Sequence, residues 1–408
     1  LKNQGKLEAY NQYVRSTTSA YGNLALKTEL FYNPYPDLHD LVNSRVLNKT
    51  FGSPNHGKNV ITSQEALELL NDIAKESSVQ SISVVIGGPP CQAYSLIGRG
   101  RMKEQVFEDD RNYLFKYYLN IVREFQPRLF VFENVPGIIS AGKGDLLTAI
   151  RREFEDIGYG LKSGPDQENH ANNIIDCKDF GVYQNRRRLI LFGYKKKDYP
   201  GGFDYPDLHG FSMSFDEPLN TKNAISDLPP LHAGQGADFW YGRYSPKRRL
   251  SLFQGCMREE SPGVLNHFAR PHREQDLKIY EMQIAASKKG TKIGYSELPE
   301  SLQFHKNGSK KVFEDRFRVH GTKETPHTIV AHISKDGHYN IHPDPQQLRS
   351  LTVREAARIQ SFPDNYFFEG YRTAQFVQVG NAVPPLLSRA IAKAVKKELD
   401  DHRGLASG

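Results

Sequence analysis

Between residues 82 and 193 the hydrophobic pattern switches repeatedly between a short run and a helical stripe. Ile82–Ile86 is an apolar, β-branched run stopped by Gly87-Gly88, which predicts a buried strand. Asn112–Phe125 places Leu114, Tyr118, Ile121, Val122 and Phe125 on one helical face, with Pro127 as a stop. Leu129–Phe132 is a second apolar run. Leu146, Leu147, Ile150, Phe154 and Ile157 form the next stripe, closed by Gly158, and Leu189–Gly193 is a further strand. Alternation at this spacing predicts an α/β fold, a doubly wound and mostly parallel sheet.

The pattern is weaker on either side. Residues 1–80 are polar, with a helical stretch at Ala66–Ile73. From about Lys195 to Asp344 the regularity breaks up, in a region rich in Gly, Pro and His that holds the only Trp, Trp240. Regularity returns at Thr352–Gln360. A last amphipathic helix carries Leu386, Leu387, Ala390, Ile391, Ala394 and Val395. The expected organisation is a sheet domain over 1–230, a smaller irregular domain over 231–372, and a segment over 373–408 that returns to the first.

Composition narrows the class. No apolar run is long enough to span a bilayer, and no secretory leader pattern is present. Cys91, Cys177 and Cys256 are too few, and odd in number, for a disulfide framework, which fits a reducing cytoplasm. The net charge of +7 hints at a polyanionic partner.

Ligands of an open α/β sheet bind outside the carboxyl ends of its strands. Cys91, in "IGGPPCQAYS", lies just past one such end, and Glu133, in "FVFENVPG", follows another. "QNRRRLILFG" puts Arg186 and Arg188 before a third strand, where period-two alternation points both side chains the same way. Singly, each has an ordinary reading: a small buried thiol, a helix-capping carboxylate, a solvated basic face. Together they supply a nucleophile, an acid and two fixed cations.

"GGPPCQAYS", "DDRNYL", "FVFENVPG", "DFGVYQNRRRL", "RSLTVREAARIQSFPD" and "QVGNAVPP" occur in this order. This series resembles the ordered motifs of the C5-cytosine DNA methyltransferases, from about Ser81 to Val395 with an interruption between about Lys195 and Lys323. The resemblance implies a Rossmann-like methyltransferase sheet with a separate target-recognition domain. It also implies methyl transfer from S-adenosylmethionine to C5 of a cytosine flipped out of duplex DNA. Cys91 is then the nucleophile that adds to C6, and Glu133 the acid near N3. Arg188 resembles the arginine that contacts the base O2, with Arg186 as the partner that helps hold the site.

Pro90, Leu114, Asn381 and Ala382 stand at family positions that line the adenosylmethionine pocket. The loop "AYSLIGRGR" suits closure behind a flipped base. DNA contacts are expected at Gln92, Ser95, Arg99 and Arg101 in and around that loop, at Gln184, and at Thr328 of the Thr328-Ile329 pair. No metal site is expected, because His320, His327, His332, His338 and His342 lack partner cysteines or a ligand spacing. Basic and aromatic residues interleave between about Leu231 and Asp344, among them Arg316, Arg318, Tyr241 and Tyr244, as phosphate and groove contacts would require.

Two departures stand out. The family's opening strand, its "FxGxG" turn and the acid after them are absent, so the chain is expected to begin beyond them. A second subunit supplying that piece, or an inactive relative, are the alternatives. Tyr183 also replaces a common proline, with little chemical consequence expected. The expected protein is a monomeric cytoplasmic DNA methyltransferase, the modification partner of a restriction endonuclease. The rival readings are a tRNA cytosine-5 methyltransferase and a partner-dependent or inactive DNA-binding subunit.

Overall fold

The computed structural model describes residues 4–17, 24–36, 42, 46, 49–51, 60–89, 114–164, 166, 173–244, 246, 249–304 and 314–406. In chain order its principal elements begin with α1 (Gln4–Ser16), α2 (Ser63–Glu76), β1 (Val84–Gly87), α3 (Phe115–Phe125) and β2 (Leu129–Asn134). Next come α4 (Asp145–Glu155), β3 (Tyr159–Lys162), β4 (Ile175–Asp176) and β5 (Arg187–Lys195). The later part holds β6 (Gly236–Gly242), α5 (Leu252–Arg258), β7 (Val264–Phe268) and α6 (Glu274–Lys288). It ends with α7 (Val353–Ile359), α8 (Arg372–Asn381) and α9 (Pro385–Ala406).

The chain forms two compact units. One comprises Asp37–Asp176, Arg187–Asp207 and Lys393–Gly408; the other comprises Leu1–Pro36, Cys177–Arg186 and Leu208–Ala392. A split at residue 230 would have left residues 1–36 and 177–186 with the sheet.

The first unit contains the main sheet, in the order β1-β2-β5-β3, with β4 paired to β5. β1 and β2 pair in parallel through the crossover helix α3. β5 runs antiparallel to both β2 and β3, so β2 and β3 share a direction with one strand between them. The alternation read from the sequence thus yields three strands running one way. The sheet is nevertheless mixed, because β5 enters the gap left by the β2–α4–β3 crossover from the opposite end. α4 buries the expected Leu146, Leu147, Ile150 and Phe154, whereas α3 buries a stripe rotated from the expected one: Tyr118 and Val122 are joined by Phe115 and Leu119, and Leu114, Ile121 and Phe125 are only half-buried. β2 is buried on both faces from Leu129 to Phe132, which is why it reads as a continuous apolar run and not an alternating one.

The second unit is organised around α7, every residue of which is buried. Its three neighbouring arginines are held by specific partners. Arg349 forms a two-pronged pair with Glu355, Nη1 and Nη2 each 2.7 Å from a carboxylate oxygen. Arg358 lies between Asp227 and Asp364, and Arg354 donates to the carbonyls of Leu265, Pro363 and Tyr366. Removing one member of such a buried set leaves an uncompensated charge, at a cost of about 3–5 kcal/mol. α1 belongs to this unit too. Tyr13 and Val14 pack against Leu265 of β7, which pairs antiparallel with β6, and the Tyr13 hydroxyl donates to Glu369 at 2.6 Å. The polar sequence of residues 1–80 gave no sign of that docking.

Candidate active site

In the sheet unit the site is built where β1 ends. The glycines there are explained by close approach. A Cβ on Gly87 would lie 2.6 Å from the Tyr118 ring, and one on Gly88 would lie 2.9 Å from Glu133 Oε2. Gly88 therefore leaves room for the Glu133 carboxylate beside the corner that leads into Pro90 and Cys91. Asn134 Nδ2 donates to the Pro89 carbonyl at 3.4 Å, tying the end of β2 to the same corner. Glu133 is the penultimate residue of β2, inside the strand and not after it, because pairing with β5 continues through Asn134.

Glu133 stands opposite Ile190 in the β2–β5 ladder, and Arg188 lies two residues from Ile190 on the same face. That diagonal brings Arg188 Nε within 2.6 Å of Glu133 Oε1, with both side chains largely buried. The Nε–H is not aimed along a hydrogen bond, so the contact is a charge pair. Arg188 Nη1 donates to the Arg187 carbonyl at 2.8 Å. The pair fixes a carboxyl and a guanidinium together where β2 ends and β5 begins, and the fixed cation is suited to stabilising a developing anion.

Arg186 is placed differently. β5 begins at Arg187, so Arg186 stands just before the strand and belongs to the second unit, whereas Arg188 belongs to the first. Within the second unit the buried Arg186 guanidinium spans three backbone carbonyls, those of Ile329 (2.8 Å), Ala382 (3.0 Å) and Gly380 (3.3 Å). Gln184 is fully buried beside it. Its Nε2 donates to the Ile359 carbonyl and to Gln360 Oε1, and its Oε1 accepts from the Ile329 amide. Gln360 in turn donates to the carbonyls of Val379 and Ala382. Gly380 is packed against the Val330–Ala331 backbone, where a Cβ would collide, so it serves a close contact and not a turn.

Thr328 is half-buried and its hydroxyl donates to the Asn185 carbonyl. Gln184, expected at the DNA, has its side chain engaged within this network. Among the expected cofactor residues, Leu114 is half-buried at the start of α3, Ala382 is half-buried, and Asn381 is exposed at the end of α8. Pro90, Cys91, Gln92, Ser95, Arg99 and Arg101 lie outside the described residues.

Sequence reasoning missed Gln360 and Asn185 as members of this network. A polar residue interrupting the apolar run of "AARIQSF" was the available signal for Gln360. Tyr183, read as inconsequential, is buried against Phe253, and its hydroxyl donates to Glu217 at 2.6 Å. Glu217 also accepts from the first two amides of α5, and these bonds hold its carboxyl below the usual range against the opposing effect of burial. The histidines are mostly structural. His320 and His327 stack at 3.7 Å, and burial pushes His320 down to about 4 and His342 down to about 3. Among the described residues no group of three or more His, Cys, Asp or Glu is placed to hold a metal ion. No helix there is long and apolar enough to cross a membrane.

Comparison with known proteins gives the same direction. The family model of the C-5 cytosine-specific DNA methylases matches residues 56–397. The type II methyltransferase M.Bpa9945I of Bacillus paralicheniformis is 50% identical over 405 residues, covering 98% of this chain and 89% of that protein. The type II methyltransferase M1.HphI of Haemophilus parahaemolyticus is 34% identical, over 82% of this chain and 74% of its own length. Among solved structures, a candidate prophage-encoded DNA modification methyltransferase from E. coli aligns with a TM-score of 0.56 at 22% identity, covering 84% of this chain and 87% of that one. The two carry different weight: the last supports only the mixed α/β fold, whereas the family match spans most of the chain, and on that ground the chain belongs to the C-5 cytosine-specific DNA methylases.

Proposed function

We propose that this chain is the modification enzyme of a restriction–modification system and methylates cytosine C5 in duplex DNA through a covalent Cys91 adduct. Cytosine C5 is a poor nucleophile. Addition of the Cys91 thiolate to C6 makes C5 enamine-like and places negative charge towards N3 and O2. Glu133 donates a proton, or shares one, at N3, and Arg188 stabilises the charge at O2. Once C5 is methylated, its proton leaves and the thiol is eliminated, restoring the ring. The observation that carries this reading is the Glu133–Arg188 pair, packed over Gly88 at the corner that leads into Cys91.

S-adenosylmethionine supplies the methyl group. Pro90, Leu114, Asn381 and Ala382 are the residues here that would line its pocket. The exposed Asn381 side chain offers hydrogen bonds, while the Ala382 carbonyl is already bound by Arg186 and Gln360. Arg186 and Gln184 hold the backbone on which Thr328 and Ala382 sit. The three parallel-directed strands support a Rossmann-like, doubly wound sheet as the catalytic core, with residues 231–372 forming most of the target-recognition part. Gln92, Ser95, Arg99, Arg101 and Thr328 are proposed to contact DNA. The protein is proposed to act as a cytoplasmic monomer alongside a cognate endonuclease.

The test is transfer of a labelled methyl group from S-adenosylmethionine to mixed-sequence duplex DNA, with tRNA as a parallel substrate and Cys91→Ser as the control. Incorporation into DNA that is lost in Cys91→Ser is expected. Incorporation that survives in the serine variant, or that appears only in tRNA, overturns the reading.

A further inference from the structure

The second unit contains an exposed cation that is built into the structure to an unusual degree. Arg318 is exposed, yet its backbone is fixed on both sides: its amide donates to the His338 carbonyl and its carbonyl accepts from the Ile341 amide. Its guanidinium is fixed as well. Nη1 donates to the Tyr339 hydroxyl at 2.8 Å, and the group lies 5.5 Å from the Tyr339 ring centre. Tyr339 stands edge-on to the buried His327, whose Nε2 lies 2.6 Å from the Tyr339 carbonyl. The next residue, Thr328, is bonded to Asn185 of the "QNRRR" segment. The guanidinium is thus anchored to the same framework that holds Gln184 and Arg186.

Among the described residues its charge is placed differently from its neighbours'. Neighbouring Arg316 pairs with Asp336 at 3.1 Å, and Lys292 pairs with Asp315. No carboxylate pairs with Arg318 among the described residues. An arginine serving only solubility has no need of a fixed rotamer, and a carboxylate would satisfy one serving only the fold. A preorganised guanidinium loses little conformational freedom on binding, and its remaining N–H groups match a planar pair of acceptors. Burial, and in part the Arg318 charge itself, pushes His327 and His320 beneath it below the usual imidazole range.

The geometry points to Arg318 as a specificity-determining residue that reads a guanine in the target sequence, oriented by Tyr339. Guanine presents O6 and N7 together in the major groove, the acceptor pair that a guanidinium fork fits best. The inference rests on the DNA-methylating reading above.

The experiment selects a randomised duplex library for binding to the 408-residue chain and sequences the bound fraction, alongside methyl transfer to the same library. The parent is expected to require guanine at a defined position. Arg318→Ala should lose that requirement and bind the preferred sequences about 10- to 100-fold more weakly. Arg318→Lys should not restore the requirement, because a single ammonium cannot make the paired contact. Tyr339→Phe, which keeps the charge and removes the hydroxyl, should keep the requirement with a few-fold weaker affinity. Three results overturn the assignment: loss in Arg318→Ala that is uniform across sequences with a salt dependence reduced by about one ion, which marks a phosphate contact; no change in Arg318→Ala; or a parent with no guanine requirement. A parent that selects sequences but transfers no methyl group refutes the enzymatic reading, and the bound sequences still decide the role of Arg318.

Discussion

Gly87 and Gly88 are adjacent and chemically identical, yet substituting each by alanine should damage different properties. At Gly88 the added methyl would sit 2.9 Å from Glu133 Oε2, where ordinary contact begins at 3.4 Å, so the carboxylate must retreat by about 0.5 Å. The atom in the way is the end of a flexible, partly exposed side chain, so the fold gives way easily and loses less than about 1 kcal/mol. The retreat moves the carboxylate whose other oxygen lies 2.6 Å from Arg188. A misplacement of about 1 Å in a catalytic group can cost about 10²-fold in rate, so Gly88→Ala should slow methyl transfer by about 10- to 10²-fold. At Gly87 the obstacle is the Tyr118 ring, buried and pinned by hydroxyl bonds to the Val85 and Val131 carbonyls. That ring has nowhere to go, and overpacking should cost about 1–3 kcal/mol of stability. Single-turnover methyl transfer and denaturant unfolding of both variants separate the two effects. A Gly88→Ala enzyme with the parent rate, or one as unstable as Gly87→Ala, would refute the placement of Glu133 at this corner.

Three further outcomes are expected. Glu133→Gln should slow transfer by at least ~10²-fold in single-turnover measurements, and an unchanged rate removes the carboxyl from the mechanism. Arg186→Lys replaces a fork that spans three buried carbonyls with a single ammonium. At about 1–3 kcal/mol for each buried group left unbonded, the variant should show a clearly lower denaturation midpoint, and parental stability would contradict the carbonyl cage. Acid should unfold the protein early. His267 and His320 are pushed down to about 4, and His272 and His342 to about 3, mainly by burial. These groups bind protons in the unfolded chain before they do in the folded one. Their stabilisation is therefore complete above pH ~6.5 and is lost as pH falls towards 3, by up to about 1.4 kcal/mol per histidine per pH unit. A flat unfolding free energy between pH 6.5 and 4.5 would show that these rings are not buried as neutral groups.

The sheet unit was legible because its signals are local. A strand buried on both faces is an apolar run, as in β2, and a helix on a sheet is a stripe, so β1, β2, α3, α4 and β5 fell close to their expected places in the chain; β1, expected to be buried, is only half-buried, with Ile86 exposed. The antiparallel course of β5 was not legible, since an apolar run has the same composition in either direction. The docking of α1 was hidden for another reason: Tyr10 and Tyr13 lie in a stretch that is polar overall, and their partners lie more than 350 residues away. At the candidate site, Glu133 and Arg188 were singled out by residue type and strand-end position, and their side chains meet at 2.6 Å. Gln184 was recognised from its motif, but burial decides how it acts, and one sequence carries no direct record of burial for a polar side chain.

The same distinction explains why the motifs occur as a set. Arg186 bonds to Ile329 and Ala382, 143 and 196 residues away in sequence, and Gln184 bonds to Gln360 at a separation of 176. Closing loops of that length costs entropy that a single hydrogen bond of about 1 kcal/mol does not recover. What sustains these bonds is the penalty for breaking them once buried: a half-satisfied polar network is worse than an apolar core. "QNRRR", the Thr328-Ile329 segment, "RIQ" and "GNAVPP" are therefore interdependent, and a change in one needs a compensating partner. Tyr183 fits that rule. It stands where the family commonly has proline, and the hydroxyl it brings into the buried interior is met by Glu217, which in turn holds the start of α5. Tyr183→Phe should consequently destabilise the second unit by about 1.5–3 kcal/mol, the range for a hydrogen bond to a charged group. The same change made together with Glu217→Gln should cost clearly less than the two single losses added, because each disrupts one shared bond. Strict additivity in that double-mutant cycle would mean that the hydroxyl and the carboxylate act separately.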